Sequence, residues 1–458
     1  MANKKGISRR DFIRSAGLAA AASALAACGP GATEPGQATV PVTGQTPPAG
    51  GIETAPVASP TVAAGGDRNV RVAVGGWAEQ NMRDLLANTD FTGQTGINVE
   101  IVLRTDTKET ELTRLASAVQ SNTSPYDIID FEDELTTSFS QAGYVIGLDD
   151  LLPEGFWDDF PPEMVEYSNT WSKYNGETFR IIHNWEMPYW WYRKDWFDER
   201  GVPVPTTWEE VAAMGAEFTD GANGVWATED GLIKGAFLNV YLSWITLQAG
   251  GNPFDVGPEY EQALQYVYDL MHTHNTLNPA SLQKDYNQQN GDYVADRVAF
   301  MRQWPFFGDF VRSEDNAEWF SEDKVAVALP PVGPGGPGNS TYAAAWGFGI
   351  VRTSPNLEEA KELLPFLVSN EVAIEAMKVG FWFLNPRYSV IAEAPKDNWL
   401  VQQMQMYQDA GVIGLRPFHP RFVEALTVIE DTAAAYLTDQ ITLEESLQQA
   451  RDQLTVLA

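Results

Sequence analysis

Residues 181–218, IIHNWEMPYWWYRKDWFDERGVPVPTTWEEVAAMGAEF, decide how the rest of this 458-residue chain is read. Arg180-Ile181-Ile182 is a short apolar run that predicts a strand. Trp185, Tyr189, Trp190, Trp191 and Tyr192 then crowd around one carboxylate, Glu186. Rings with polar tips suit a ligand that is part apolar and part polar, such as a sugar, whose C–H faces stack and whose hydroxyls bond. Next, Lys194-Asp195-Trp196-Phe197 starts a short helix that Gly201 ends. Pro203 and Pro205 stiffen the turn, and Thr207 caps the next helix with Glu210 three residues on.

Within this stretch, YRKDWFDERGVPVPTTWEEV (192–211) resembles the "kDlF-eeaGv-vP-TWeE" signature of extracellular solute-binding proteins of ABC importers, the maltodextrin-binding type. The resemblance extends from about Val70 to the C-terminus. It implies an α/β, two-lobed periplasmic-binding-protein (type II) fold, with a ligand cleft between lobes joined by a hinge. It also implies a monomeric receptor, not an enzyme, that needs no cofactor and hands a small-molecule solute, a carbohydrate by family, to ABC permease subunits. The lobes are expected at 68–182 with 331–390, and at 183–330 with 391–458.

The N-terminus carries a separate message. Ser8-Arg9-Arg10-Asp11-Phe12-Ile13-Arg14 resembles a twin-arginine export signal, and residues 16–27 are apolar and Ala-rich. That run is shorter than the ~20 residues a spanning helix needs, and fits the core of a signal peptide over 1–27. Leu25-Ala26-Ala27-Cys28 resembles a bacterial lipobox, which places the single cysteine of the chain where lipidation requires it. Residues 28–67 are rich in Gly, Pro, Thr and Ala, and read as a flexible tether from the lipid. The expected location is therefore the outer face of the cell membrane, held by the lipid anchor only. With 30 basic and 62 acidic residues the formal charge is −32, which repels nucleic acid and anionic lipid.

Along the folded part, Val70–Val74 alternates as a strand and ends at Gly75-Gly76-Trp77, with a helix from about Glu79 to Asn88. A second strand spans 97–102 and a third 126–131, the start of a doubly wound sheet with ligands at the carboxyl ends of its strands. Trp77 and Glu79 are candidate contacts on that ground. The third strand runs into Glu132, Asp133 and Glu134. The resemblance implies that an aromatic and an acid here face the solute, so Phe131, Glu132 and Glu134 are candidates; the bland alternative is an acidic helix start. Residues 149–174 read as a decorated loop with short helical turns, rich in Trp and Pro.

Glu186 stands six residues before Tyr192, where relatives place a ligand-facing glutamate. The competing reading is a Glu packed near Arg193 or Lys194. By the same resemblance, Asn239 and Tyr241 precede the Gly250-Gly251-Asn252-Pro253-Phe254 landmark. Trp304 follows a short strand as the ring that stacks on sugar. Pro330-Pro331 and the Gly/Pro loop after it are read as the return crossing, with Trp346 on the strand-like segment Ala343–Val351 that rebuilds the first lobe. Phe381–Arg387 resembles a family turn and adds Trp382 and Arg387; Arg416 and His419 come last. His272 and His274 lie on different helix faces with no further ligands, so no metal site is expected. Departures from the family pattern are Arg193, where relatives usually have Asn, and the long 149–174 insert.

The leading reading is a lipid-anchored receptor that closes two lobes over a sugar. Two rivals remain at this stage. One is a receptor for a polyamine, peptide or iron chelate, prompted by the acidic surplus. The other is a glycan-acting enzyme using Glu186 and a second carboxylate.

Overall fold

The computed structural model describes residues 68–457 except 105–107, 236, 339, 381–383, 395 and 397. Residues 1–67, where a signal peptide, Cys28 and a tether are expected, and Trp382 lie outside the described residues.

Strands β1 (Asn69–Val74), β2 (Asn98–Leu103) and β3 (Ile128–Glu132) run parallel, with β1 in the middle. Alternation sorts their side chains. Val70, Val72, Val74 and Ile128 enter one core, while Ala73, Ile129 and Phe131 enter a second core on the opposite face. The helices Glu79–Asn88 and Lys108–Ser121 cover the sheet between these strands, as the strand–helix–strand reading requires.

The 149–174 segment holds the expected short helical turns, Asp149–Leu151 and Phe156–Asp159, and more order besides. It contains a ten-residue helix, Pro162–Trp171, with proline in its first turn. Met164, Tyr167, Ser168 and Trp171 repeat at helical spacing and are all buried. A small hairpin, β4 (Lys173–Tyr174) and β5 (Glu177–Thr178), leads to β6 (Ile181–Ile182) on the edge of the first sheet.

The chain then passes into a second sheet. Strand β7 (Tyr189–Arg193) is central, and β8 (Trp226–Thr228), β9 (Val298–Gln303) and β10 (Val325–Ala328) complete the order β10-β7-β9-β8. Trp190 stacks on Phe300 at 4.6 Å on one face, while Trp191 joins Met301 and Val327 on the other. The aromatic run is thus largely explained by a strand buried on both faces. The helix Lys194–Arg200 ends at Gly201, whose φ of 65° is the left-handed conformation glycine tolerates. Thr207 and Glu210 form the expected capping box on the helix Trp208–Phe218, with the Glu210 backbone N–H 3.2 Å from the Thr207 hydroxyl.

The return to the first sheet comes later than Pro330-Pro331. Val332 donates to Thr206 O and Gly333 to Gln248 O, which keeps this segment on the second sheet's side. Strand β11 (Thr341–Ala343) pairs with β13 (Ile413–Leu415), and the Tyr342 hydroxyl reaches Val240 O on the helix Leu238–Gln248. Only at Ala344-Ala345 does the chain change sheets, entering β12 (Trp346–Ile350) between β3 and β6. A Cβ at Gly347 would lie 2.7 Å from Ile181 O, so β12 fits against β6 because that position is glycine.

The C-terminal helices continue on the second sheet's side. The Tyr407 hydroxyl donates to Ala328 O and accepts from Trp190 N, and the helix Phe422–Leu437 packs on Leu238–Gln248 through Ala425 and Ile429.

Candidate functional site

The two stretches that change sheets, 183–188 and 344–345, lie side by side. Glu186 N donates to Ala344 O at 2.8 Å and Ala344 N donates to Glu186 O at 2.7 Å. The 183–185 segment is braced from both sides. Trp185 N donates to Leu384 O, the Asn385 amide to His183 O, and Trp346 N to the Asn184 side-chain oxygen.

Glu186 is therefore held by paired backbone where the two crossings meet, at the carboxyl end of β3. Asp130 and Glu132 share one face of β3, and the register sets Trp346 opposite Glu132. His183 Nε2 lies 2.8 Å from Asp130 Oδ1. The Glu186 carboxyl is hydrogen-bonded by the Trp346 side chain. Burial first, then Asp130, Glu132 and Asp133, push it up to about 8, so it carries its proton at neutral pH. Beside it the Trp346 ring meets the half-exposed Trp77 edge-on at 4.8 Å, and the Arg104 guanidinium lies 4.8 Å from its centroid.

The acidic turn after β3 is organised by two cations. Lys108 contacts Glu132 at 3.0 Å and also bonds Glu134. Arg416, directly after β13, bonds both Asp133 and Glu134. The Tyr167 hydroxyl donates to Asp133 Oδ2 at 2.7 Å. Burial alone would raise the Glu134 carboxyl, but Lys108 and Arg416 hold it at about 2. The result is one continuous ladder, Glu132–Lys108–Glu134–Arg416–Asp133–Tyr167. It ties the first sheet to the ribbon that rides on the second.

On the second sheet's side, Arg302 is fully buried and binds Asp230 through two nitrogens at 3.1 and 2.6 Å. Its Nη2 also donates to the Tyr286 hydroxyl at 3.1 Å, which in turn accepts from Trp304 Nε1 at 3.1 Å. Phe237 stacks on Tyr286 at 3.7 Å. The Trp304 ring meets Tyr342 edge-on at 6.0 Å, and Arg416 lies 6.0 Å over that same Tyr342 ring. Trp304 and the acidic ladder are thus linked through one tyrosine.

Among the residues singled out from sequence, the fold gathers Trp77, Glu132, Glu134, Glu186 and Trp346, with Trp304 approaching from the other side. Others are engaged elsewhere. The Phe131 ring turns into the second core of the first lobe, 5.0 Å from Phe139. Trp185 is wholly buried in the core and presents no ring face. Glu79 pairs with Arg83 at 2.7 Å on the first helix. Asn239 and its backbone N–H bind Glu430, which also accepts from Gly235 N. That carboxylate satisfies open N–H groups at a helix start. Tyr241 is buried behind the second sheet beside Trp244.

Arg387 bonds Asp159 at 3.2 Å and Val368 O at 2.7 Å, and lies 4.8 Å over Phe156, bracing the 149–174 insert. Arg193, the departure from the family pattern, pairs with Asp195 and Asp296 and packs on Trp196. Sequence reasoning missed Lys108, Tyr167, Arg302, Tyr286 and Asp230, and gave Arg416 only a minor place. None carries a local pattern, because each acts through a partner far away in the chain.

A family model described as bacterial extracellular solute-binding protein matches residues 79–374. The chain belongs to that family. Solved structures share the two-lobed fold. The maltose-bound T. maritima MalE3 is 23% identical, with a TM-score of 0.72 over 85% of this chain and 100% of that one. An Agrobacterium radiobacter K84 ABC transporter solute-binding protein in complex with ribitol is 20% identical, with a TM-score of 0.70 over 86% of this chain and 99% of that one. The GacH receptor of Streptomyces glaucescens, described with acarbose, is 18% identical, with a TM-score of 0.69 over 84% and 98%.

Proposed function

We propose that this protein is the receptor of an ABC importer for a neutral, hydroxyl-rich solute, a sugar or oligosaccharide, and that Glu186 and Trp346 at the crossings form the heart of its site. One observation carries the ligand class: three of the acids beside Glu186 already have cationic partners. Lys108 and Arg416 pair with Glu132, Asp133 and Glu134, and Glu186 is held protonated. A cationic solute such as a polyamine gains little from acids so engaged. A neutral hydroxylated one can accept from the Glu186 carboxyl, donate to Glu132 and lie against the half-exposed Trp77 ring and the partly buried Trp346 ring.

The maltose, ribitol and acarbose named with the structural neighbours are all polyhydroxylated, which supports the same choice. Capture follows from geometry. Contacts divided between two lobes are all made only when the lobes approach, so the solute favours the closed form.

The protein is read as a receptor and not an enzyme, exported by the twin-arginine route and anchored through Cys28 with residues 28–67 as tether. The motifs at 8–14 and 25–28 support this. Thermal shifts against a panel of sugars, sugar alcohols and spermidine test the ligand class, with chromatography of the recovered ligand. A shift by one sugar, returned intact, is expected. A shift by spermidine alone overturns the ligand class, and cleaved sugar overturns the receptor.

A further inference from the structure

The helix Tyr286–Val294 meets the end of β9 with a polar face. Its start is fixed by a capping box, in which the Asp285 side chain accepts from Gln288 N at 2.9 Å and the Gln288 side chain from Asp285 N at 3.0 Å. Tyr286, Gln289 and Asn290 stand at i, i+3 and i+4 and so share one face. Gln289 and Asn290 are fully buried. Apolar residues would be enough to pack a helix on a strand, and a buried amide is costly unless it is bonded. Here each is bonded to a particular place. The Gln289 side chain donates to Arg302 O at 2.7 Å and accepts from Gly231 N at 2.9 Å. The Asn290 oxygen accepts from Gln303 Nε2 at 2.7 Å, and the Gln303 oxygen accepts from Trp304 N at 3.0 Å.

Trp304 is thus tied to this helix twice, by its backbone through Gln303 and Asn290 and by its ring through Tyr286. The Tyr286 hydroxyl accepts from Trp304 Nε1 and from Arg302 Nη2, both at 3.1 Å. Indole and guanidinium N–H groups only donate, so the direction of both bonds is fixed, and together they take both lone pairs of the hydroxyl oxygen. Tyr286 is itself held. Phe237 stacks on its ring at 3.7 Å, the Arg302 guanidinium lies 5.3 Å from its centroid, and Asp230 binds Arg302 through two nitrogens. The half-buried Trp304 ring meets Tyr342 edge-on, and among the described residues no aromatic ring lies flat against it.

We propose that Tyr286 is the positioning residue for Trp304, fixing the tilt of the indole before a solute arrives. The proposal rests on the reading of Trp304 as a ring that lies against the solute. The bond to Nε1 grips the indole at its edge, so rotating the ring about its side-chain bonds breaks it. A ring already held in its binding orientation gives up less side-chain freedom when the solute is captured, and that saving appears as affinity. The polar face of the helix is explained by the same role: it sets backbone and ring of one residue together, which an apolar face does not do.

Tyr286→Phe tests this by deleting the hydroxyl while keeping a ring against Phe237. In the full chain, free of ligand and labelled at the tryptophan indole nitrogens for NMR, the Trp304 N–H resonance is the one that disappears in Trp304→Phe. It is expected to move upfield in Tyr286→Phe, and an unchanged resonance would overturn the proposal. Binding is then measured with the sugar that gives the largest thermal shift in the panel. Tyr286→Phe is expected to weaken it about threefold to tenfold, the scale of one hydrogen bond. Combined with Trp304→Ala it should bind no worse than Trp304→Ala alone, because the hydroxyl acts through that ring. A merely structural role lowers Tm and makes the two losses multiply, which overturns the positioning. Glu186→Ala and Trp346→Ala keep the two readings apart. If they lose binding while Tyr286→Phe binds as the parent does, the site at the crossings stands and this proposal falls. If Tyr286→Phe weakens binding through Trp304 and those two do not, the positioning stands and the crossings are not the site.

Discussion

Glu186 and Ala344 exchange both of their backbone hydrogen bonds, at 2.8 and 2.7 Å. That pair locks the two chain crossings together and fixes where the Glu186 carboxyl stands relative to Trp346. Ala344→Pro deletes the Ala344 N–H and leaves Glu186 O without its donor. The expected loss is about 1–3 kcal/mol in urea unfolding. A variant as stable as the parent would show that the crossings are coupled by something else.

Arg416 reaches Asp133 and Glu134 from the far end of the sequence, and all three are buried. Arg416→Ala leaves two buried carboxylates with only Lys108 and Tyr167 to answer them. Removing one partner of such a group costs about 3–5 kcal/mol, read as a lower urea midpoint. Replacing Arg416 by Lys restores charge without the fork that spans two acids, and should recover only part of the loss.

Glu186 also sets a pH dependence. Its carboxyl rises from 4.5 to about 8, through burial and then Asp130, Glu132 and Asp133. Between those values the folded protein keeps a proton that the unfolded chain releases, so this group's contribution is whole below 4.5 and is lost as pH rises through 8. The slope approaches about 1.4 kcal/mol per pH unit at most. Glu134 works in the opposite sense but below this window, since its carboxyl is held at about 2 and its contribution is lost only in acid. Unfolding measured from pH 5 to 8 should decline less steeply for Glu186→Gln than for the parent. Parallel curves would show that Glu186 ionises normally in the fold.

The capping box is a local test. Thr207→Ala removes the oxygen that accepts from Glu210 N, and should cost about 1 kcal/mol in thermal unfolding without touching the site. A loss well above that would mean Thr207 does more than cap.

How much was legible follows from the range of each signal. Helix ends at Gly201 and Thr207, the strand Val70–Val74 and the acidic end of β3 depend on neighbours a few residues apart, and the sequence carried them. Glu186 was singled out through its spacing to Tyr192, and Trp346 through its strand; both remain proposals for the site. Arg416 was hard to weigh, because its partners lie more than 280 residues away. The aromatic run misled in part. Trp185 and Trp191 fill cores, and a sequence of rings looks the same whether the rings face a ligand or each other. The return crossing was legible only as a span, from Pro330-Pro331 through the Gly/Pro loop to the strand at Ala343–Val351. Pro330-Pro331 is a conspicuous break, whereas the change of sheet at Ala344-Ala345 depends on a ribbon with Ile413–Leu415 that no local pattern announces.

The central claim, that a neutral hydroxylated solute is captured at Glu186 and Trp346, is tested most directly by titrating intrinsic tryptophan fluorescence with the sugar selected by thermal shift. The account predicts saturable binding by the parent protein, weakened at least tenfold by Trp346→Ala and by Glu186→Ala, with both variants folded by circular dichroism. Binding of undiminished affinity in both folded variants would contradict it, and would move the site away from the crossings.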